Sequence, residues 1–216
     1  MNDKLVWIDC EMTGLNLDTD ALVEVAALVT DGELNVLGEG VDIVIRPSDD
    51  ALAAMGDFVR EMHTKSGLID EFAGGVTMEE AQRVVLDYVR QHVNGPRQVP
   101  LAGNTIGTDR MFLARDMPEL EQFLHYRNVD VSSIKELARR WYPRVFFNSP
   151  VKTGGHRALA DIRESIEELR YYRDAIFVPR PGPAASDLVA IAARHSGALS
   201  PEKESELDAA VADSEG

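Results

Sequence analysis

The chain has 216 residues and a formal net charge of −15 at pH 7. Its hydrophobic content of 44% is ordinary for a globular protein, and its apolar runs are too short to span a membrane as a helix. So strong an acidic excess argues against a protein that grips long nucleic acid, which normally presents a basic surface. The lone Cys10 and an N-terminus without an apolar signal region favour a cytoplasmic protein.

Two carboxylates, Asp9 and Glu11, lie at the end of the first predicted strand, Leu5–Cys10. Successive strand side chains point to opposite faces, so both acids share one face while the alternate residues, Cys10 included, turn toward a core. Two aligned acids at a buried strand end normally persist because a cation binds between them, and oxygen ligands suit Mg²⁺ or Mn²⁺. The alternative is an ordinary strand that emerges into solvent.

Further strands and helices follow the first strand in an α/β pattern. A hairpin at Asp31-Gly32 joins strands at Ala21–Thr30 and Val36–Ile45. The helices predicted next are Asp50–Met55, Phe58–Lys65, Gly67–Glu71 and Met78–Val93. Two more short strands, each before a helix, are predicted at Val99–Ala102 and Asn128–Val131.

A second acidic motif follows the strand at Val99–Ala102. A Gly/Asn turn at Gly103–Gly107 leads into a helix, and Asp109 falls in the first turns of that helix. An acid near a helix N-terminus can also be explained by the helix dipole alone.

A third motif combines a histidine with an acid. His156 follows Gly154-Gly155, and Asp161 lies about one turn into the long amphipathic helix that begins after His156. The alternative is a surface histidine at a helix entrance. Four carboxylates, Asp9, Glu11, Asp109 and Asp161, suit two divalent cations about 3.5–4 Å apart, the spacing for phosphoryl chemistry. A histidine such as His156 can accept a proton from water at neutral pH.

These motifs resemble those of the oligoribonuclease family, in the DEDD superfamily of 3′→5′ exonucleases with a catalytic histidine. Asp9-x-Glu11 matches the first exonuclease motif, Asn104 through Asp109 the second, and His156-x4-Asp161 the third. Other stretches similar to the family's own signatures are Glu11–Leu15, Met117–Glu121, His125–Arg127, Lys135–Trp141 and Asp161–Ser165. The resemblance extends from about residue 4 to about residue 178.

The resemblance implies a ribonuclease H-like exonuclease fold, with a mixed five-stranded sheet flanked by helices. It also implies hydrolysis of very short RNAs, mainly dinucleotides, to mononucleotides with two Mg²⁺ or Mn²⁺ ions. Leu15 stands where the family wedges a leucine between two bases, and Phe58 stands where a tryptophan usually stacks on a base. From the residues alone, both would be read as core positions.

The resemblance further implies a homodimer in which each subunit completes its partner's site. Tyr126 and Arg127 match a pair that reaches across the interface, where the arginine closes over the 5′ phosphate. Hydroxyls corresponding to Thr105 and Ser132 contact the same phosphate, with threonine standing where serine is common.

Charge is unevenly distributed along the chain. Residues 127–163 carry eight bases and three acids, which predicts a local anion-binding region, although part of this excess also fits a charged helix face. The prolines of Val178–Pro183 predict the end of the globular body. We therefore expect an exonuclease domain at 1–180 and an acidic, disordered tail at 181–216, with a short helix at Ala184–Arg194.

Two other functions fit parts of the pattern. A proofreading-type DNA exonuclease would share the three motifs, but the signatures outside them and the acidic composition argue against it. A catalytically idle nucleotide-binding or adaptor protein would share the fold. The intact set of four acids and one histidine argues against that alternative.

Overall fold

The computed structural model describes residues 3–151 and 155–195. The chain divides into two units, Met1–Ile176 and Phe177–Gly216. The first unit contains a five-stranded sheet, whose strands are β1 (Leu5–Met12), β2 (Leu22–Thr30), β3 (Val36–Val44), β4 (Pro100–Gly103) and β5 (His125–Asp130).

The sheet is mixed, with strand order β3-β2-β1-β4-β5. The first three strands form an antiparallel meander, whereas β4 and β5 run parallel to β1. Glu11 pairs with Glu24 across the β1–β2 ladder, and cross-strand partners project from the same face of a sheet. The α/β architecture with a mixed five-stranded sheet was therefore predicted correctly.

Helices surround this sheet. The described helices of the first unit are α1 (Asp49–Ala54), α2 (Asp57–Lys65), α3 (Leu68–Glu71), α4 (Met78–His92), α5 (Ile106–Asp116), α6 (Pro118–Phe123), α7 (Val131–Trp141), α8 (Pro143–Phe147) and α9 (Ala158–Ile176). A 3₁₀ turn, Phe72–Gly74, follows α3. The predicted helices before β4 are confirmed to within one residue at each end.

Apolar side chains are buried on both faces of the sheet. Val6, Ile8 and Cys10 pack in one cluster with residues of α4 and α5, as the alternation in β1 predicts. Trp7, on the opposite face, packs in a second cluster with residues of α9 such as Ile162. Each large side chain buried in this way contributes about 1.5–3 kcal/mol. The face that carries Asp9 and Glu11 is therefore covered by α9, which brings Asp161 toward them.

The last strand differs from its predicted bounds of Asn128–Val131. It begins earlier, at His125, whose amide donates to the carbonyl of Val99 at 2.9 Å. It also ends earlier, because the Asp130 side chain accepts from the Ser132 amide at 2.9 Å and caps α7 from Val131 onward. The short helices α6 and α8 were not predicted separately, and both begin with a proline.

The second unit contains helix α10 (Ala185–His195), close to the predicted helix at Ala184–Arg194. The side chains of α10 are exposed. Within the predicted disordered tail at 181–216, residues 196–216 lie outside the described residues, and the proposed boundary at residue 180 stays a prediction. None of the described helices is long and apolar enough to cross a membrane.

Candidate active site

A cavity of about 640 Å³ lies where β1 ends and the first turns of α5 and α9 meet. Polar groups often converge at the carboxyl ends of parallel strands in such folds. The cavity is lined by all five predicted catalytic residues, Asp9, Glu11, Asp109, His156 and Asp161. Three of the predicted substrate residues also line it, namely Leu15, Phe58 and Thr105.

The second motif is joined to the first by a direct hydrogen bond. The amide of Cys10 donates to Oδ1 of Asp109 at 2.9 Å, and Asp109 itself is buried. The end of β4 packs closely on β1, because a Cβ added to Gly103 would lie 3.0 Å from the carbonyl oxygen of Ile8. Glycine at position 103 therefore permits the approach that brings Asp109 to β1.

Burial and mutual repulsion alter the acidity of these carboxyl groups. Burial, together with the negative charges of Asp109 and Glu11, raises the pKa of Asp9 well above its usual range. Burial and the nearby charges of Glu24 and Asp161 raise the pKa of Glu11 to about 8. Burial raises the pKa of Asp109 to about 7, although hydrogen bonds to its carboxylate oppose the shift. Such a cluster favours protons or cations between its members.

The third motif lies beside the first. A ring nitrogen of His156 and one carboxylate oxygen each from Glu11 and Asp161 lie within 4.8 Å of one another, so this group could hold a metal ion. His156 has a φ of 47°, in the left-handed region that is costly for a residue with a side chain. Asp161 belongs to the first turn of α9, and its amide donates to the carbonyl of Arg157 at 3.0 Å.

Leu15 and Phe58 project into the cavity from separate elements. Their exposed fractions are 75% and 79%, so neither is the core residue that its local pattern favours. Leu15 lies in a loop that Asp20 holds together, by accepting from the Thr13 hydroxyl at 3.0 Å and from the Asn16 amide at 2.9 Å. Two exposed apolar side chains at one cavity suit flat, apolar ligand surfaces.

Thr105 and Ser132 belong to one hydrogen-bonded cluster. The Thr105 amide donates to Oδ1 of Asp130 at 3.0 Å and to the Ser132 hydroxyl at 3.2 Å. The Ser132 hydroxyl donates in turn to Asp130 at 2.6 Å. Thr105 also adopts a left-handed φ of 53° just before α5. Thr105 lines the cavity, whereas Ser132 is not among its described lining residues.

Tyr126 and Arg127 lie on the edge strand β5 and do not appear among the described lining residues of the cavity. Tyr126 is 72% exposed, and the guanidinium of Arg127 lies 5.6 Å from the centre of its ring. In the part of the chain that the structure describes, Arg127 forms no ion pair. One chain therefore does not bring these two residues into its own cavity.

Acids neutralise four of the eight bases in segment 127–163. Lys135 pairs with the buried Glu168 at 3.1 Å, and Arg139 and Arg140 both pair with Glu136. Arg157 pairs with acids outside the segment. The charge excess in the sequence thus overstates the free positive surface, and the charged-helix alternative explains Arg139 and Arg140.

Two buried polar residues beside the site were not singled out from the sequence. Glu24 is fully buried on β2, and a lone acid within an otherwise apolar strand was a signal that could have found it. His63 on α2 is also fully buried, with Nε2 2.9 Å from the carbonyl of Met12 and Nδ1 4.0 Å from Glu11. No sequence signal distinguishes His63 from an ordinary helix residue.

Comparison with known proteins gives the family. The RNase_T family model, described as Exonuclease, matches residues 6–169. The chain is 69% identical over 201 residues to an oligoribonuclease of Streptomyces griseus, covering 93% of this chain and 100% of that one. The chain belongs to the oligoribonuclease family. It is also 58% identical over 207 residues to an oligoribonuclease of Mycobacterium bovis, covering 95% of this chain and 96% of that one.

Solved structures agree with the fold that the family resemblance implies. An exonuclease I from Methylocaldum szegediense superposes with a TM-score of 0.60 at 23% identity, covering 80% of this chain and 41% of that one. The zinc-bound exonuclease I–ssDNA complex of E. coli gives a TM-score of 0.61 at 16% identity, covering 82% of this chain and 41% of that one. The chain thus spans about two fifths of these larger proteins and shares their ribonuclease H-like fold.

Proposed function

We propose that this chain is a metal-dependent 3′→5′ exoribonuclease that degrades very short RNAs, mainly dinucleotides, to mononucleotides. One observation carries the proposal. Four acids and a histidine from three separate motifs line a single cavity, in a chain 69% identical to an oligoribonuclease. A catalytically idle binding protein would not need buried acids that repel one another.

The residues present fit divalent cations. Asp9, Glu11, Asp109 and Asp161 offer oxygen ligands, the type that Mg²⁺ and Mn²⁺ prefer, and their family motifs are intact. Burial and neighbouring acids raise the pKa of Glu11 and burial raises that of Asp109, and bound cations would offset the negative charge of these groups. We propose that these four acids hold two ions. When bound, the ions supply charge that acidifies a water and offsets the negative charge developing on the phosphate.

His156 acts as the general base in this proposal. A ring nitrogen of His156 takes a proton from water as the water oxygen attacks phosphorus. The bond from phosphorus to the upstream 3′ oxygen breaks, and the leaving oxygen takes a proton from solvent. The products are a nucleoside 5′-monophosphate and a chain with a free 3′ hydroxyl. The exposed position of His156 at the cavity, beside Glu11 and Asp161, supports this role.

Leu15 and Phe58 provide the contacts for two bases. Phe58 stacks on one base and Leu15 wedges between two. This role explains why two apolar side chains are exposed at the cavity. The surface acidity does not oppose this substrate, because a dinucleotide carries few phosphates and needs no long basic groove.

The 5′ end of the substrate is closed by a second subunit in this proposal. Thr105 and Ser132 contact the 5′ phosphate, and Arg127 of the partner subunit closes over it beside the partner's Tyr126. The exposure of Tyr126, which is not among the described lining residues of the cavity in its own chain, supports this arrangement.

The reaction and its direction are tested with a 5′-labelled pentaribonucleotide. The proposal predicts a ladder of products shortened from the 3′ end, complete loss of activity in EDTA and recovery with Mn²⁺ or Mg²⁺. Asp109→Asn keeps the shape of the side chain but removes a carboxylate from the metal site. This variant should be inactive even with added Mn²⁺ or Mg²⁺. Internal cleavage, or full activity in EDTA, would refute the proposal.

A further inference from the structure

The backbone at His156 is costly to hold in place. Its φ of 47° lies in the left-handed region, which is unfavourable for a residue with a side chain unless the surroundings determine it. Gly155, just before it, is exposed, and a Cβ added there would meet nothing within 4 Å. Two residues on the C-terminal side of His156 make contacts that can fix it.

Both residues after His156 are bound by one buried carboxylate on β2. Oε1 of Glu24 accepts from Nε of Arg157 at 2.9 Å, and Oε2 accepts from the amide of Ala158 at 3.0 Å. Ala158 is the first residue of α9, where amides have no partner within the helix. Glu24 thus caps α9 from a neighbouring strand and holds the side chain of Arg157 at the same time.

A second acid holds the outer side of the same arginine. Glu71 on α3 accepts from both terminal nitrogens of Arg157, at 2.7 and 3.3 Å. Glu71 is 47% exposed, whereas Glu24 is fully buried, so Glu24 makes the contact that is shielded from solvent. The charge-assisted bonds to Glu24 are therefore the stronger constraint on the chain beside His156.

We infer that Glu24 is a positioning residue that fixes the His156 side chain over the acids of the site through Arg157 and Ala158. This inference rests on the proposed role of His156 as general base. The competing role for Glu24 is to act on Glu11 directly through its charge, since the two are cross-strand partners. That alternative predicts an effect on metal binding, and the positioning role predicts none.

Glu24→Gln tests the inference with little change in shape. A carboxylate accepts at both oxygens, but a glutamine turns an amide donor toward one of the two groups that Glu24 binds. At saturating Mn²⁺ we expect kcat to fall about 10- to 100-fold and KM to change less than about twofold. Hydrogen exchange at the Ala158 amide should speed up roughly tenfold in the metal-free protein. Glu80→Gln, which removes a carboxylate from the exposed Arg83 pair, should leave kcat, KM and the exchange rate of the Ala158 amide unchanged.

Combining Glu24→Gln with His156→Ala separates positioning of His156 from a direct effect of Glu24 on Glu11. If Glu24 acts through His156, Glu24→Gln should lower the residual rate of His156→Ala by less than about threefold. The inference would be overturned if the kcat of Glu24→Gln equalled that of wild type, or if more metal restored it. It would also be overturned if Glu24→Gln lowered kcat as much in the His156→Ala background as in wild type. Should Glu24→Gln fold poorly, Arg157→Lys, which cannot bind both acids in the same way, should show the same fall in kcat with little change in KM.

The proposed function can fail separately from this inference. If His156→Ala alone keeps the wild-type rate, the general-base role is wrong. In that case the exchange rate of the Ala158 amide in Glu24→Gln still decides whether Glu24 holds this segment, because that measurement needs neither metal nor substrate.

Discussion

The amide of Cys10 donates a hydrogen bond to Oδ1 of Asp109 across 2.9 Å. The bond places an acid from the start of α5 against the strand segment between Asp9 and Glu11, 99 residues earlier in the chain. The three acids are consequently fixed in the protein itself, and the cluster is preorganised before any cation binds.

A preorganised cluster of repelling acids should make the metal-free protein sensitive to pH. Glu11, with a pKa raised to about 8, holds a proton in the folded state that the unfolded chain releases above about pH 4. The folded state therefore binds more protons, and the free energy of unfolding should fall as pH rises from about 4 to about 8.

Glu11→Gln should flatten this dependence and leave the metal-free protein at least as stable as wild type at pH 8. Urea unfolding in EDTA at pH 5, 6.5 and 8 measures both effects. A free energy of unfolding that rises across this range in wild type, with no change in Glu11→Gln, would contradict the assigned acidity.

His156→Ala should retain metal and substrate binding but lose the chemical step. Loss of a general base costs about 10²–10⁴ in rate. Single-turnover kinetics with a 5′-phosphorylated dinucleotide, together with Mn²⁺ titration by calorimetry, separates chemistry from binding. If substrate affinity collapsed while kcat stayed constant, His156 would be a binding residue instead.

Phe58 should control affinity for the substrate more than the rate of chemistry. Aromatic stacking on a base contributes about 1–3 kcal/mol, so Phe58→Ala should raise the Kd for a dinucleotide about 5- to 150-fold. Phe58→Trp should bind the dinucleotide at least as tightly as wild type, because a larger ring covers more of the base. The measurement is equilibrium binding in Ca²⁺ or EDTA. Phe177→Ala, at another exposed phenylalanine, serves as the control.

Arg127→Ala should weaken dinucleotides that bear a 5′ phosphate far more than those that lack one. A charge-assisted contact of this kind contributes about 1.5–3 kcal/mol. The preference for length two should weaken as well, since closure over the 5′ end is what excludes longer RNA.

Mixed dimers test whether Arg127 acts in the partner's site. In a dimer of Arg127→Ala with Asp109→Ala, the intact metal site still receives an arginine, and about half of the normal activity is expected. In a dimer of wild type with the double variant, the intact metal site receives none and should be nearly idle on dinucleotides. Equal activity of the two dimers would show that Arg127 does not act across an interface.

The sequence was sufficient for the elements and motifs whose signals are local. Alternation in β1 correctly placed Asp9 and Glu11 on one face, and helical periodicity placed Asp161 in the first turn of α9. Contacts between distant segments left no such local signal. Arg157 contacts Glu24 and Glu71, which lie 133 and 86 residues earlier in the chain. A count of charges in segment 127–163 could not show that these distant acids neutralise Arg157.

The preference for very short RNA is the central claim, and one assay tests it most directly. Purified protein with Mg²⁺ or Mn²⁺ is given 5′-labelled RNAs of two, five and twenty nucleotides at equal concentration, separately and in competition. We predict that kcat/KM is highest for the dinucleotide and falls steeply with length, and that unlabelled dinucleotide inhibits cleavage of the longer RNAs. Faster degradation of the twenty-nucleotide RNA than of the dinucleotide, without inhibition by the dinucleotide, would contradict the account.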